Sequence, residues 1–120
     1  MAEDEYLKKF LNQPMKQRVV DCVEIRRKYP GRFPIIVSKM KKTGPDIDKH
    51  KFLCPGDLTF GQFVYVIKKR IKMRFDEALF VFVNKSTLIP SHATLEQVYF
   101  DHRDKDGFLY AFYDLESTFG

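Results

Sequence analysis

The sequence predicts a compact α+β roll, a hairpin, a packed helix and a last strand returning to the sheet, preceded by two further helices. Three observations carry this reading. Apolar runs of strand length alternate along the chain with stretches of helical period. The pairs Pro30-Gly31 and Pro55-Gly56 punctuate that pattern. A chain of 120 residues with 44% hydrophobic and 15% aromatic content makes one domain able to bury a core.

Tyr6 to Leu11 reads as a helical turn or two, broken at Gln13-Pro14. A second helix is expected over Met15 to Lys28, with Val19, Cys22 and Val23 inward and Arg18, Arg26, Arg27 and Lys28 outward. Asp21, Ile25 and Tyr29 form an i, i+4, i+8 stripe on its flank, and Pro30-Gly31 ends it. Phe33 to Lys39 reads as a strand, and Thr43 to Asp46 as a turn-rich loop. The short strand Lys51 to Cys54 stops at Pro55-Gly56, and its flanking lysines and proline give it the character of an edge strand. Asp57 or Thr59 can cap a helix in which Phe60, Phe63, Val64, Ile67 and Ile71 recur on one face. Ala78 to Val83 is a continuous apolar run that suits a strand buried on both faces. A turn at Asn84 to Thr87, a short helix from Thr94 to Phe100 with Leu95 and Val98 inward, and a final strand from Gly107 to Tyr113 complete the chain. Strand, strand, helix, strand, short strand or turn, helix, strand is the order of a ubiquitin-like β-grasp, here with two additional N-terminal helices. Residues 1–28 are expected as a helical extension packed on the core, 29–114 as the β-grasp, and 115–120 as a flexible tail, all in a single domain.

Composition narrows the classes of function. No apolar run approaches a membrane span, and the acidic start Met1-Ala2-Glu3-Asp4-Glu5 lacks the apolar segment of a signal peptide. The expectation is a cytoplasmic protein whose membrane attachment is covalent or peripheral. The net charge of +5 suits anionic partners. Cys22 and Cys54 lie far apart and fit neither a C-x-x-C pair nor a zinc spacing, so both are expected as reduced thiols. His50, His92 and His102 form no i, i+4 pair, and the chain carries no G-x-S-x-G elbow and no phosphate loop. Asp101, Asp104 and Asp106 suggest a calcium loop, but Asp106 and Phe112 stand where its Gly and Glu would be required, leaving a loop of solvated charges. No catalytic constellation, metal site or cofactor site is found, and the chain is read as not an enzyme. The run Lys68 to Arg74 ends an amphipathic helix, where cations complement the helix dipole. It is open to reading as a solvated face, a patch for acidic ligands or lipid, or a nucleic-acid contact. The absence of an aromatic RNA-binding motif argues against the last.

Five segments in order go beyond fold class: Arg26 to Val37 (RRKYPGRFPIIV), Asp46 to Pro55 (DIDKHKFLCP), Leu58 to Ile71 (LTFGQFVYVIKKRI), Leu79 to Asn84 (LFVFVN) and Asp104 to Tyr110 (DKDGFLY). Over roughly residues 14–120 the chain resembles the GABARAP-like family of ubiquitin-like autophagy modifiers, and Phe119-Gly120 matches that family's aromatic-glycine terminus. By itself Gly120 is an ordinary chain end. The resemblance implies that it is an acyl donor, activated with ATP, passed along thioesters and joined to the amine of phosphatidylethanolamine. Joining a two-chain lipid would convert the protein to a stably anchored one. Phe119 would be the recognition residue for the processing protease and the conjugation enzymes. The implied partners are an autophagy cysteine protease, ubiquitin-like activating and conjugating enzymes, cargo receptors and phosphatidylethanolamine membranes. The implied location is the cytoplasm, and the autophagosome membrane once lipidated.

The resemblance also implies capture of aromatic-x-x-aliphatic peptides by strand addition. Carried over, the aromatic pocket falls on Asp21, Ile25, Pro34, Ile36, Lys51, Leu53 and Phe108. The aliphatic pocket falls on Phe52, Cys54, Pro55, Leu58, Phe63, Val64 and Ile67. Lys49, Lys51 and Arg70 would meet acidic residues flanking the ligand. Ordinary core packing is the competing reading of Phe63, Val64, Ile67 and Phe108. The chain departs from the family pattern with Phe52 for Tyr, Cys54 for Val and Asp21 for Glu. Tyr6, Phe10 and Leu11 either bury against the core or touch lipid. The rival functions are a soluble peptide- or cytoskeleton-binding adaptor without conjugation, and a small basic nucleic-acid-binding protein.

Overall fold

The computed structural model describes residues 4–117. Among them the elements run α1 (Glu5–Asn12), α2 (Met15–Lys28), β1 (Arg32–Lys39), β2 (Lys51–Pro55), α3 (Phe60–Arg70), β3 (Glu77–Val83), β4 (Thr87–Leu88), α4 (Leu95–His102) and β5 (Leu109–Ser117). They build one sheet in the order β2-β1-β5-β3-β4. The central pair β1–β5 is parallel, and β1–β2, β3–β4 and β3–β5 are antiparallel. This is the α+β grasp the element order predicts.

Strand alternation divides the core into two layers. Phe33, Ile35, Val37, Leu109, Ala111 and Tyr113 face α3 and α4, where Phe60, Phe63, Ile67, Leu95, Val98 and Tyr99 close over them. Ile36, Phe108, Tyr110 and Phe112 face the other way, onto Leu7 and Phe10 of α1 and Cys22 of α2. The N-terminal helices thus cover a sheet face whose apolar side chains would otherwise meet water.

Local chemistry sets the element ends. Asp4 caps α1 by accepting from Tyr6 N at 2.9 Å, and its other oxygen accepts from Lys39 N at 3.3 Å, tying the helix start to β1. Thr59 and Gln62 form a reciprocal capping box at α3. Asn84 and Lys85 adopt left-handed φ of 54° and 70° in the β3–β4 turn.

Four expectations need correction. The apolar run of β3 is not buried on both faces: Val81 and Val83 are buried, while Phe80 is 39% exposed. On α2, Cys22 points inward but Val23 is 59% exposed, and Arg18 and Arg26 turn inward. Favourable partners reward those arginines more than a further valine contact: a carboxylate for Arg18 and aromatic rings for Arg26. The last strand begins at Leu109 because Gly107 sits in the preceding turn at φ +93°. A Cβ there would also lie 2.7 Å from Cys22 Sγ, so this glycine lets α2 approach the turn. Finally, the tail expected from residue 115 starts inside β5, where Leu115, Glu116 and Ser117 pair with Leu79, Ala78 and Glu77.

In α1, Phe10 is buried and stacks edge-on against Phe108 at 5.1 Å, whereas Leu11 is exposed. Tyr6 stacks on His50 at 4.2 Å, and His50 Nδ1 hydrogen-bonds the Val37 carbonyl at 3.0 Å. His50 thereby ties α1 to β1.

Candidate functional site

β2 is an edge strand, as its lysines and proline foretold. Its ladder to β1 shows which backbone groups remain free. Arg32–Pro55 through Ile36–Lys51 are the paired positions, and Val37 N donates to His50 O at 2.7 Å one step further on. Antiparallel pairs alternate between bonded and non-bonded, so Ile35–Phe52 and Phe33–Cys54 exchange hydrogen bonds while Ile36–Lys51 and Pro34–Leu53 do not. Pro34, which has no N–H, occupies a non-bonded position where none is needed. Lys51 and Leu53 therefore turn their backbone N–H and C=O groups away from the sheet. The Leu53 carbonyl meets the Arg32 guanidinium at 3.4 Å, a partner that sequence reasoning missed.

The carried-over pocket residues separate onto the two faces of this edge. Pro34, Ile36, Lys51 and Leu53 share the face toward α1 and α2, beside Phe108 and Phe10. Ile36 and Phe108 are wholly buried, Pro34 is buried, Leu53 is half-buried, and Ile25 of α2 packs against the cluster, with half-buried Asp21 one turn before it on the same helix. The Lys51 ammonium lies over the Phe10 and Phe108 rings at 5.6 and 5.8 Å and caps this cluster. Asp21 accepts from Gln17 Nε2 at 2.9 Å on the exposed side of the helix. Phe10 is the wall that the carried-over set omitted. The helical spacing that buries it is visible in the sequence, but its place beside β2 is not.

On the opposite face Phe52 and Cys54 pack toward α3, with Phe52 edge-on to Phe63 at 6.0 Å. Phe63 and Ile67 are wholly buried and Leu58 and Val64 are partly buried, whereas Pro55 is exposed at the end of β2 and by alternation falls on the Lys51–Leu53 side, apart from the rest of its carried-over set. Lys49 and Arg70 lie over the Phe52 ring at 5.0 and 5.7 Å, and Arg70 also pairs with Asp48 at 3.1 Å. Burial pushes the Cys54 thiol up to about 11, although Lys49 and Arg32 oppose the shift. It is a neutral apolar wall at physiological pH. Both clusters are thus covered by cations set against aromatic rings.

Elsewhere, Cys22 and Cys54 are free, and no cluster of metal-ligating side chains exists among the described residues. The reading of Asp106 as a solvated charge is overturned. It is 1% exposed, accepts from Arg18 Nη1 at 2.6 Å and from Phe108 N at 2.8 Å, and receives the Tyr110 hydroxyl. Burial opposes the charge on Arg18, but Asp106 and Tyr110 hold its pKa above the ordinary guanidinium value. Lys68 and Lys69 are exposed at the end of α3. No helix among the described residues is long and apolar enough to cross a membrane. Phe119 and Gly120 lie outside the described residues. β5 carries the chain as far as Ser117, alongside Glu77.

Comparison with known proteins matches residues 17–120 to the family described as "Autophagy protein Atg8 ubiquitin like". Autophagy-related protein 8b of Arabidopsis thaliana is 51% identical over 111 residues, covering 92% of this chain and 90% of that protein. Autophagy-related protein 8 of Kluyveromyces lactis is 50% identical over 108 residues, covering 89% and 86%. The crystal structure of ATG8 from Trypanosoma brucei superposes with a TM-score of 0.76 at 41% identity, covering 92% of this chain and 95% of that one.

Proposed function

The chain belongs to the Atg8 family of ubiquitin-like autophagy proteins, and on that premise we propose that it is a non-catalytic modifier of the GABARAP-like kind. It joins phosphatidylethanolamine on autophagosomal membranes through Gly120 and recruits cargo receptors by binding aromatic-x-x-aliphatic peptides. Phe119 is the handle for the protease and the conjugating enzymes. Residues 1–28 serve as an extension on the grasp core, and the conjugation tail begins beyond the end of β5.

The observation that carries the peptide reading is the placement of two apolar clusters on opposite faces of one free strand edge. Side chains of an added strand alternate between faces, so residues three apart point to opposite sides. A ligand with its aromatic at one position and its aliphatic three later delivers one to each face. The outward backbone groups of Lys51 and the Leu53 N–H supply the ladder, and Arg32 gives up the Leu53 carbonyl to complete it. Because Ile36, Phe108, Phe63 and Ile67 are wholly buried, they form the floors, while Lys51 on one face and Lys49 with Arg70 on the other must yield at the mouths. Freed from the rings, those cations meet acidic residues flanking the ligand.

Two measurements test this. Calorimetry with such a peptide should show binding that is lost in Lys51→Ala/Leu53→Ala; unchanged affinity would sink the site assignment. Incubation with the conjugation enzymes, ATP and phosphatidylethanolamine liposomes should give a lipid adduct on the wild-type chain. Gly120→Ala should form none while keeping peptide affinity. Peptide binding without any adduct, alongside a family member that reacts, favours the rival reading as an unconjugated adaptor.

A further inference from the structure

We propose that the cleft between α2 and the α4–β5 turn is a second ligand site, built for a phosphate-bearing anion and independent of the β2 edge. The cleft encloses about 500 Å³, a size typical of small-ligand sites. Arg26, Arg103 and Lys105 converge on it, with Val19 and Val23 as an apolar wall.

The charge in this cleft is uncompensated. Arg26, Arg103 and Lys105 make no ion pair among the described residues. Arg26 Nε is buried without an acceptor. The two carboxylates nearby are already engaged. Asp106 is held by Arg18 at 2.6 Å and by Tyr110, and Asp104 Oδ2 accepts from Asp106 N at 3.1 Å.

The two guanidinium groups are also preorganised. That of Arg26 lies 5.0, 5.1 and 5.5 Å from the centres of Phe33, Tyr99 and Phe100. That of Arg103 lies 5.9 and 5.2 Å from Tyr99 and Phe100. Two cations that share the same pair of rings repel each other, and an anion bound between them relieves the repulsion. Rings that restrain both groups reduce the entropy lost on binding.

Charge selects the class of anion. With Asp106 neutralised by Arg18, the three cations outweigh Asp104 by two charges, which matches a phosphate dianion better than a single carboxylate. The valines accommodate the organic body of a phosphate ester. Such a group belongs either to a soluble phosphate ester or to a phosphorylated lipid headgroup. On α2 Val19, Cys22, Val23 and Arg26 line this cleft, whereas Ile25 packs against the Ile36–Phe108 cluster of the peptide edge, so the two sites use adjacent sides of one helix.

The test is a titration of the full chain with inositol hexakisphosphate, followed by amide NMR. Shifts should concentrate at residues 19–26 and 103–107. Arg103→Gln/Lys105→Gln, whose side chains are exposed and whose loss should lower the melting temperature by only a few degrees as the Arg103 ring contacts go, should weaken binding about tenfold or more. Lys68→Gln/Lys69→Gln, an equal loss of charge on α3, should not. Flotation with phosphatidylcholine vesicles containing a phosphatidylinositol phosphate separates the sources: co-flotation competed by the soluble probe identifies a headgroup site, and its absence alongside soluble binding identifies a soluble ester. Equal weakening by the two double variants, shifts scattered over the surface, or no binding would overturn the proposal. Peptide binding at β2 should be the same in Arg103→Gln/Lys105→Gln, so failure here is distinguishable from failure of the peptide reading.

Discussion

Asp106 and Arg18 form a charge pair almost out of water: their side chains are 0% and 11% exposed. A buried pair adds little over well-packed apolar residues, but removing one partner strands the other charge. Asp106→Ala should therefore cost about 3–5 kcal/mol, read as a lower urea midpoint with an unchanged slope. A change smaller than ~1 kcal/mol would show that water compensates Arg18. Sequence reading missed this pair for a physical reason. Asp106 sits between Lys105 and Gly107, where a loop charge is ordinarily solvated, and its partner lies 88 positions away. Cys54 makes a second prediction. With its thiol pushed up to about 11 by burial, only about a thousandth is thiolate at pH 8, and thiolate is the reactive form. Alkylation followed by mass spectrometry should be far slower for the folded chain than for the chain in denaturant.

At the scale of elements, helix ends were readable because their chemistry is local. The bounds expected for α2 match those observed, and the alternative caps for α3 resolve to Thr59 with its capping box. Thr59→Ala should destabilise by about 1 kcal/mol in chemical denaturation. The edge character of β2 was likewise visible in its lysines and proline, but the ladder phase was not. Because the Leu53 N–H points off the sheet, Leu53→Pro should preserve β1–β2 pairing and cooperative unfolding while lowering peptide affinity at least tenfold. Retained peptide affinity in this variant would exclude strand addition at β2. A run of apolar residues looks the same whether both faces are covered or one, and the structure leaves Phe80 partly open.

For the molecule as a whole, buried acids tie stability to alkaline pH. Burial raises Cys54 from 9.0 to about 11 and Tyr99 from 10.0 to about 12. It also raises Tyr110, where Asp106 adds to the shift, and Tyr113, which donates to the Pro45 carbonyl. In each case the folded chain holds the proton more tightly than the unfolded one. Their contribution is complete below about pH 9, where neither state has lost the proton, and falls as pH rises through the folded values toward about 12. Scanning calorimetry should show a melting temperature that declines progressively above pH 9. A flat profile to pH 11 would mean that these groups ionise equally in both states.

The sequence by itself determined the element order, the helix caps, the free edge and, through five ordered segments, the family resemblance. These depend on neighbours a few residues apart, which a linear chain displays directly. Only the tertiary structure decided what distant residues do together. It turned Arg18 and Arg26 inward, buried Asp106, set Phe10 against Phe108, and placed the β2 clusters on opposite faces of one strand. It also brought Arg26 and Arg103 onto the same aromatic rings. The reason is physical: the energy of a charge or a ring depends on what surrounds it in space, and those surroundings come from folding rather than from adjacency along the chain.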